Sequence, residues 1–122
     1  MKKIKIIIIF ILLIITYYSL RLPDPKSLTV HINDKLGHFL AYASLAMNVL
    51  LVCNLVKEKL IGIILMISYG FLMEFFQGFV PGRDPSGLDM IANSSGILVG
   101  LVIFLLFKKQ IIAIYTKIHV LN

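Results

Sequence analysis

Four long, nearly uncharged apolar stretches constrain this chain more than any other feature. Residues 4–20, 37–56, 60–80 and 88–107 contain one, no, one and one Lys, Arg, Asp or Glu respectively. At 1.5 Å per residue, each is about the length a helix needs to cross roughly 30 Å of hydrocarbon. The strands of a membrane barrel alternate apolar and polar side chains, and an unbroken run such as residues 6–15 does not. The expectation is an all-α membrane protein, a four-transmembrane-helix bundle formed as one domain with no soluble module. Composition agrees: 59% of residues are apolar and 15% charged, against about 45–50% and about 25% in soluble domains.

A net charge of +6 raises the question of a nucleic-acid partner, and the placement of the charges answers it. Lys2, Lys3 and Lys5 precede the first stretch, Lys57 and Lys59 lie between the second and third, and Lys108, Lys109 and Lys117 follow the fourth. This is the pattern of basic residues held in cytoplasmic segments. Both termini are therefore expected in the cytoplasm, with eight of the twelve Lys and Arg on that side and Arg21, Lys26, Lys35 and Arg83 on the other. No nucleic acid is expected. The first stretch is read as an uncleaved helix, because Tyr17-Tyr18-Ser19-Leu20-Arg21 offers no small-x-small cleavage site. Its tyrosines suit a membrane interface. Cys53, the single cysteine, is read as a small packing residue.

The connections follow from local chemistry. Pro23-Asp24-Pro25 blocks helix continuation, and Asn33-Asp34 is placed to cap the second helix. The inner turn is centred on Lys57-Glu58-Lys59. The second outer loop is Pro81-Gly82-Arg83-Asp84-Pro85-Ser86-Gly87. Residues 111–121 either form a short amphipathic helix along the interface or extend the fourth helix. The halves of the chain are faintly alike: each has an Asp-Pro pair in its outer loop. Each then places an acid four residues before a polar side chain, Asp34 before His38 and Asp89 before Asn93. Such a repeat would be parallel rather than inverted.

Polar side chains gather toward the outer end. Asp34, Lys35 and His38 belong to the second helix, Glu74 and Gln77 to the third, and Arg83, Ser86, Asp89 and Asn93 to the loop and fourth helix. Of the six acids, only Glu58 is placed inside. Asp34 and His38 share a face with Ala41 and Tyr42, and Glu74 shares one with Gln77, Gly70 and Gly78. Asp89, Asn93, Gly96 and Gly100 form a third stripe, polar above and small below. The Gly96-x-x-x-Gly100 spacing lets a neighbouring backbone approach closely, within or between chains. The three stripes are expected to face one another, with helix 1 contributing little.

Glu74 lies roughly 9 Å below the loop, where an ionised carboxylate costs about 2.5 kcal/mol or more unless paired or wetted. It is either an ion-paired lock between helices or a proton-handling or binding group. His38 is the natural acid or base near neutrality, or else a histidine satisfied by Glu74 or Asp34. Arg83, placed at an exposed mouth, suits a phosphate or carboxylate, or pairs with Asp84 or Asp89. A metal held by Asp34, His38, Glu74 and Asp89 lacks any His-x-x-x-His pair in its favour, so neither metal nor cofactor is expected. Pro85-Ser86-Gly87 resembles part of a lipid-phosphatase signature, but Leu88 stands where that signature has histidine.

Taken in order, these residues resemble the VanZ-like family of membrane proteins. The first motif is Asp34-Lys35-Leu36-Gly37-His38-Phe39 with Tyr42 and Leu45. The second is Glu74-Phe75-Phe76-Gln77 with Pro81-Gly82-Arg83, and the third is Ser86, Asp89, Asn93, Gly96 and Gly100. The resemblance implies a bacterial cytoplasmic-membrane protein with a role at the cell envelope. The family is named for lowered susceptibility to teicoplanin, a glycopeptide antibiotic acting on the cell wall, and the resemblance supplies no mechanism. The leading expectation is a binding protein for an envelope lipid headgroup or cell-wall precursor, with Arg83 and Lys35 meeting anionic groups. Its rivals are an acid/base enzyme on a lipid-linked substrate, using His38 or Glu74, and a structural or assembly protein. The oligomeric state is left open.

Overall fold

A computed structural model describes residues 2–23 and 30–118, with residues 30–33 as backbone alone. Four helices follow in order: α1 (Lys2–Leu20), α2 (Val30–Val52), α3 (Val56–Gln77) and α4 (Gly87–Lys117). All four are long and apolar enough to cross a membrane, and there is no strand among the described residues. Large apolar side chains such as Phe10, Leu65, Phe75 and Leu105 are exposed around the bundle, as a lipid-facing surface requires.

Several boundaries differ from those expected, each for a local reason. Helix α2 begins at Val30, seven residues ahead of position 37, so Asn33-Asp34 lies within the helix rather than capping it. The break between α2 and α3 falls at Cys53-Asn54-Leu55, not at Lys57-Glu58-Lys59. Glu58 sets that position by accepting from the backbone N–H groups of Asn54 (2.9 Å) and Leu55 (3.1 Å). Leu55 has no side-chain acceptor, so only the glutamate half of a capping box operates. Residues 108–117 follow residues 87–106 without a connecting loop but across a kink at Phe107 (φ −117°, ψ 20°), so that α4 is two helical pieces joined there. The piece before the kink, residues 87–106, is roughly 30 Å long, about the thickness of the hydrocarbon. Residues 119–121 of the expected C-terminal segment, and Asp24 and Pro25 of the expected first outer loop, lie outside the described residues.

Helix α2 is the centre of the bundle and packs on the other three, most extensively on α4, whereas α1 and α4 do not meet. The core joins Ile15 of α1, Tyr42, Leu45 and Ala46 of α2, Met66 and Met73 of α3, and Ile97 of α4. Gly96 and Gly100 make the α2–α4 contact close. A Cβ on Gly96 would strike the Phe39 carbonyl oxygen, and one on Gly100 would lie 2.5 Å from that of Ala43. The glycine stripe is thus used within the chain, against α2 backbone. Between α1 and α3, the Thr16 and Tyr69 hydroxyls meet at 2.6 Å and both reach the Leu12 carbonyl. At the lysine-rich end, Tyr115 donates to Asn48 Oδ1 (3.2 Å) and ties the α4 extension to α2.

Because these glycines meet backbone, which cannot yield as a side chain can, Gly100→Val should destabilise the bundle by about 1–3 kcal/mol. Gly37→Ala, whose added methyl meets nothing within 4 Å, should be neutral or slightly stabilising. Unfolding of the two purified variants in one detergent provides the comparison.

Candidate functional site

The end of the bundle formed by the C-termini of α1 and α3 and the N-termini of α2 and α4 carries the polar side chains, and almost every one has a specific partner. Lys35 and Asp89 form an ion pair at 3.4 Å between α2 and α4. One turn deeper, His38 Nδ1 and Asn93 Oδ1 hydrogen-bond at 3.1 Å, both residues being buried. His38 is therefore satisfied by Asn93 rather than by Glu74 or Asp34. With the amide placed this way, Nδ1 is the donor, and in the neutral imidazole Nε2 is left as an acceptor.

Glu74, buried on α3, accepts a hydrogen bond from the backbone N–H of Ser86. Ser86 is also the N-cap of α4, its Oγ accepting from the Leu88 N–H at 3.2 Å. Glu74 thus locks α3 to the start of α4 through a backbone group rather than through a cation. Asp89, in the first turn of α4, places negative charge where the helix dipole favours it.

Arg83 corrects the expectation most sharply. The Pro81-Gly82 turn closes with the Arg83 N–H on the Val80 carbonyl (3.1 Å), and Gly82 takes φ 77° at its second central position, as a type II turn requires. The Arg83 side chain then runs inward to α1 rather than outward to a mouth. Its Nε donates to the Arg21 carbonyl (2.9 Å) and its Nη2 to that of Tyr18 (3.0 Å). The guanidinium also stands 3.9 Å from Asp34, leaving its side chain only 12% exposed. A cation here satisfies carbonyls that the end of α1 leaves without intrahelical partners. Its carboxylate partner is Asp34 rather than Asp84 or Asp89.

Helix α1 matters more than expected. A cleft of about 390 Å³ lies between α1 and α2, lined by Ile14, Ile15, Gly37 and Ala41, with Tyr18, Arg21, Asp34 and His38 as its polar residues. Arg21 stacks its guanidinium 4.7 Å from the centre of the Tyr18 ring. The cleft brings together Asp34 and His38 but none of Glu74, Gln77, Ser86, Asp89 or Asn93. Tyr18 and Arg21 were legible only as interfacial residues, because nothing in their spacing says which helix they face. Other buried polar atoms stand without hydrogen-bond partners among the described residues: Ser19 Oγ, the Tyr42 hydroxyl and Gln77 Nε2.

Asp34, His38, Glu74 and Asp89 do not assemble into a set able to hold a metal, and no such set occurs among the described residues. Burial pushes the Cys53 thiol up, and the nearby Glu58 carboxylate adds to this, which is opposite to what an activated nucleophile needs. Comparisons with protein-family models, with curated proteins and with solved structures find no match to this chain. Fold and composition define an all-helical chain of the multi-pass membrane class.

Replacing Glu74 by Gln keeps an acceptor for the Ser86 N–H and should change stability little, whereas Glu74→Leu should cost about 1–3 kcal/mol by orphaning that donor. Arg83→Lys should behave nearly as poorly as Arg83→Ala, since an ammonium cannot reproduce the fork that reaches two carbonyls and a carboxylate. Thermal unfolding, with hydrogen exchange at residues 17–21, reads both effects.

Proposed function

We propose that this chain is a VanZ-like multi-pass protein of the bacterial cytoplasmic membrane, its termini in the cytoplasm and its polar end outward. At that end it binds an amphiphilic envelope component, a lipid headgroup or cell-wall precursor. The observation that carries this reading is the cleft between α1 and α2. Its volume of about 390 Å³ falls within the usual range for small-molecule sites, which are largely apolar with a few convergent polar groups. Ile14, Ile15 and Ala41 suit the start of a hydrocarbon tail, while Arg21 and Tyr18 suit an anionic group and His38 a hydroxyl or amide donor of the same head.

The cations doing this work differ from those expected. Lys35 is paired with Asp89, and Arg83 is committed to α1 carbonyls and Asp34. A ligand recruiting either would have to break an existing pair. Arg21 is exposed at the cleft and is in no ion pair among the described residues, so it is the cation assigned to the ligand's anionic group. His38 Nε2 supplies an acceptor. The rival acid/base enzyme gains no support from Ser86, whose hydroxyl caps α4 and hydrogen-bonds to neither His38 nor Glu74. The link to teicoplanin susceptibility rests on the family resemblance alone.

Native mass spectrometry of the protein extracted with its lipids is the direct test. Ile14→Trp, which fills the cleft from a half-exposed position, and Arg21→Gln, which removes its cation, should each lower bound amphiphile about tenfold, the loss of one desolvated ionic or apolar anchor. Unfolding temperature should hold in both variants, and an envelope phenotype such as teicoplanin susceptibility should shift with the binding. Wild-type levels of bound amphiphile in both variants would rule the cleft out.

A further inference from the structure

The opposite end of the bundle carries a second cleft. About 280 Å³ in volume, it is bounded by Leu50 and Leu51 of α2, Cys53 and Asn54 of the break that follows, Lys59 of α3, and Phe104, Lys108 and Ile112 of α4. The α4 bend at Phe107 lies between two of its lining residues, Phe104 and Lys108. The extension beyond is held by the Tyr115–Asn48 hydrogen bond, which fixes one wall. Leu50 and Phe104 are almost fully buried and give the cleft an apolar floor.

Its charge is one-sided. Lys59 Nζ stands over the Phe104 ring at 5.9 Å, and Lys108 borders the same space from α4. Neither is in an ion pair among the described residues. Glu58, the one acid at this end, is turned back onto the amides of Asn54 and Leu55. Lys2, Lys3 and Lys5 at the start of α1, Lys57 at the start of α3, and Lys109 and Lys117 of α4 add positive charge toward this end of the chain's helices, outside the cleft. Two lysines from different helices over an apolar floor, at the depth where a membrane helix emerges, match the chemistry of a phosphate attached to acyl chains. Basic pockets between membrane helices on the cytoplasmic side bind such headgroups.

We propose that the Lys59–Lys108 cleft binds the phosphate of an anionic phospholipid, with Leu50, Leu51, Phe104 and Ile112 against the first carbons of its chains. Lipid, rather than free phosphate, is the occupant because four of the eight lining residues are large apolar side chains that offer an inorganic anion nothing. The site is independent of the outer cleft and shares no residue with it.

The test titrates the full chain in detergent with dioleoylphosphatidylglycerol or dioleoylphosphatidylcholine and reads bound lipid by native mass spectrometry. Phosphatidylglycerol should bind about tenfold or more tightly, as two lysines near a membrane surface supply. Joint substitution Lys59→Gln and Lys108→Gln should abolish that preference, and Lys59→Arg with Lys108→Arg should keep it. Lys109→Gln with Lys117→Gln, the same change in net charge outside the cleft, should also keep it. Should the glutamine pair fail to fold, Ile112→Trp, which fills the cleft without removing a charge, should remove the preference instead. Equal binding of the two lipids, equal loss in the Lys109/Lys117 control, or displacement of the lipid by millimolar inorganic phosphate would overturn the proposal.

Discussion

The structure depends first on how closely α2 and α4 approach. Two glycines one turn apart on α4 let it settle onto the backbone of α2 at Phe39 and Ala43. Because consecutive spans alternate in direction, α2 and α4 run the same way, so residues at equal depth face each other. His38 then meets Asn93, and Lys35 meets Asp89. With bulkier residues at positions 96 and 100, those side chains would stand too far apart to satisfy one another, and each would become a buried polar group without a partner. The short residues in the lower half of the stripe position the polar residues in its upper half.

The loop between α3 and α4 performs a second task with one side chain. Arg83 reaches across to the end of α1, a helix that never touches α4 and owes its attachment to α2, α3 and this guanidinium. The same contact places Pro23 beneath Gly82, where a Cβ would lie 3.2 Å from the proline ring. The loop is therefore a clasp between the ends of α1 and α3 rather than a lid. The flank between α1 and α2 remains open at this end, as does a groove between α3 and α4 beside Glu74.

Much of the architecture was legible because bilayer thickness imposes a length on each apolar run, and the four runs meet it. The gathering of Asp34, His38, Glu74, Asp89 and Asn93 at one end was legible for a related reason: polar residues sort by depth along a span. Partners within that layer were not. Whether His38 finds Glu74, Asp34 or Asn93 depends on helix rotation and neighbour order, and a single sequence shows spacing along one helix but not which helix stands opposite. Helix starts failed similarly. Asn33-Asp34 has the chemistry of a cap, yet α2 begins at Val30, and Lys57-Glu58-Lys59 belongs to the first turn of α3 because Glu58 folds back on the chain ahead of it. Arg83 was read as an outward cation because its reach to carbonyls far earlier in sequence leaves no local trace.

The bond between Glu74 and Ser86 bears on how the protein enters the membrane. On its own, α3 would bring a carboxylate into hydrocarbon with no donor to meet it, at a cost of about 2.5 kcal/mol or more if ionised. The donor it uses arrives with the following segment, at the first residue before α4. Partition into lipid is therefore more favourable for α3 and α4 as a hairpin than for α3 alone.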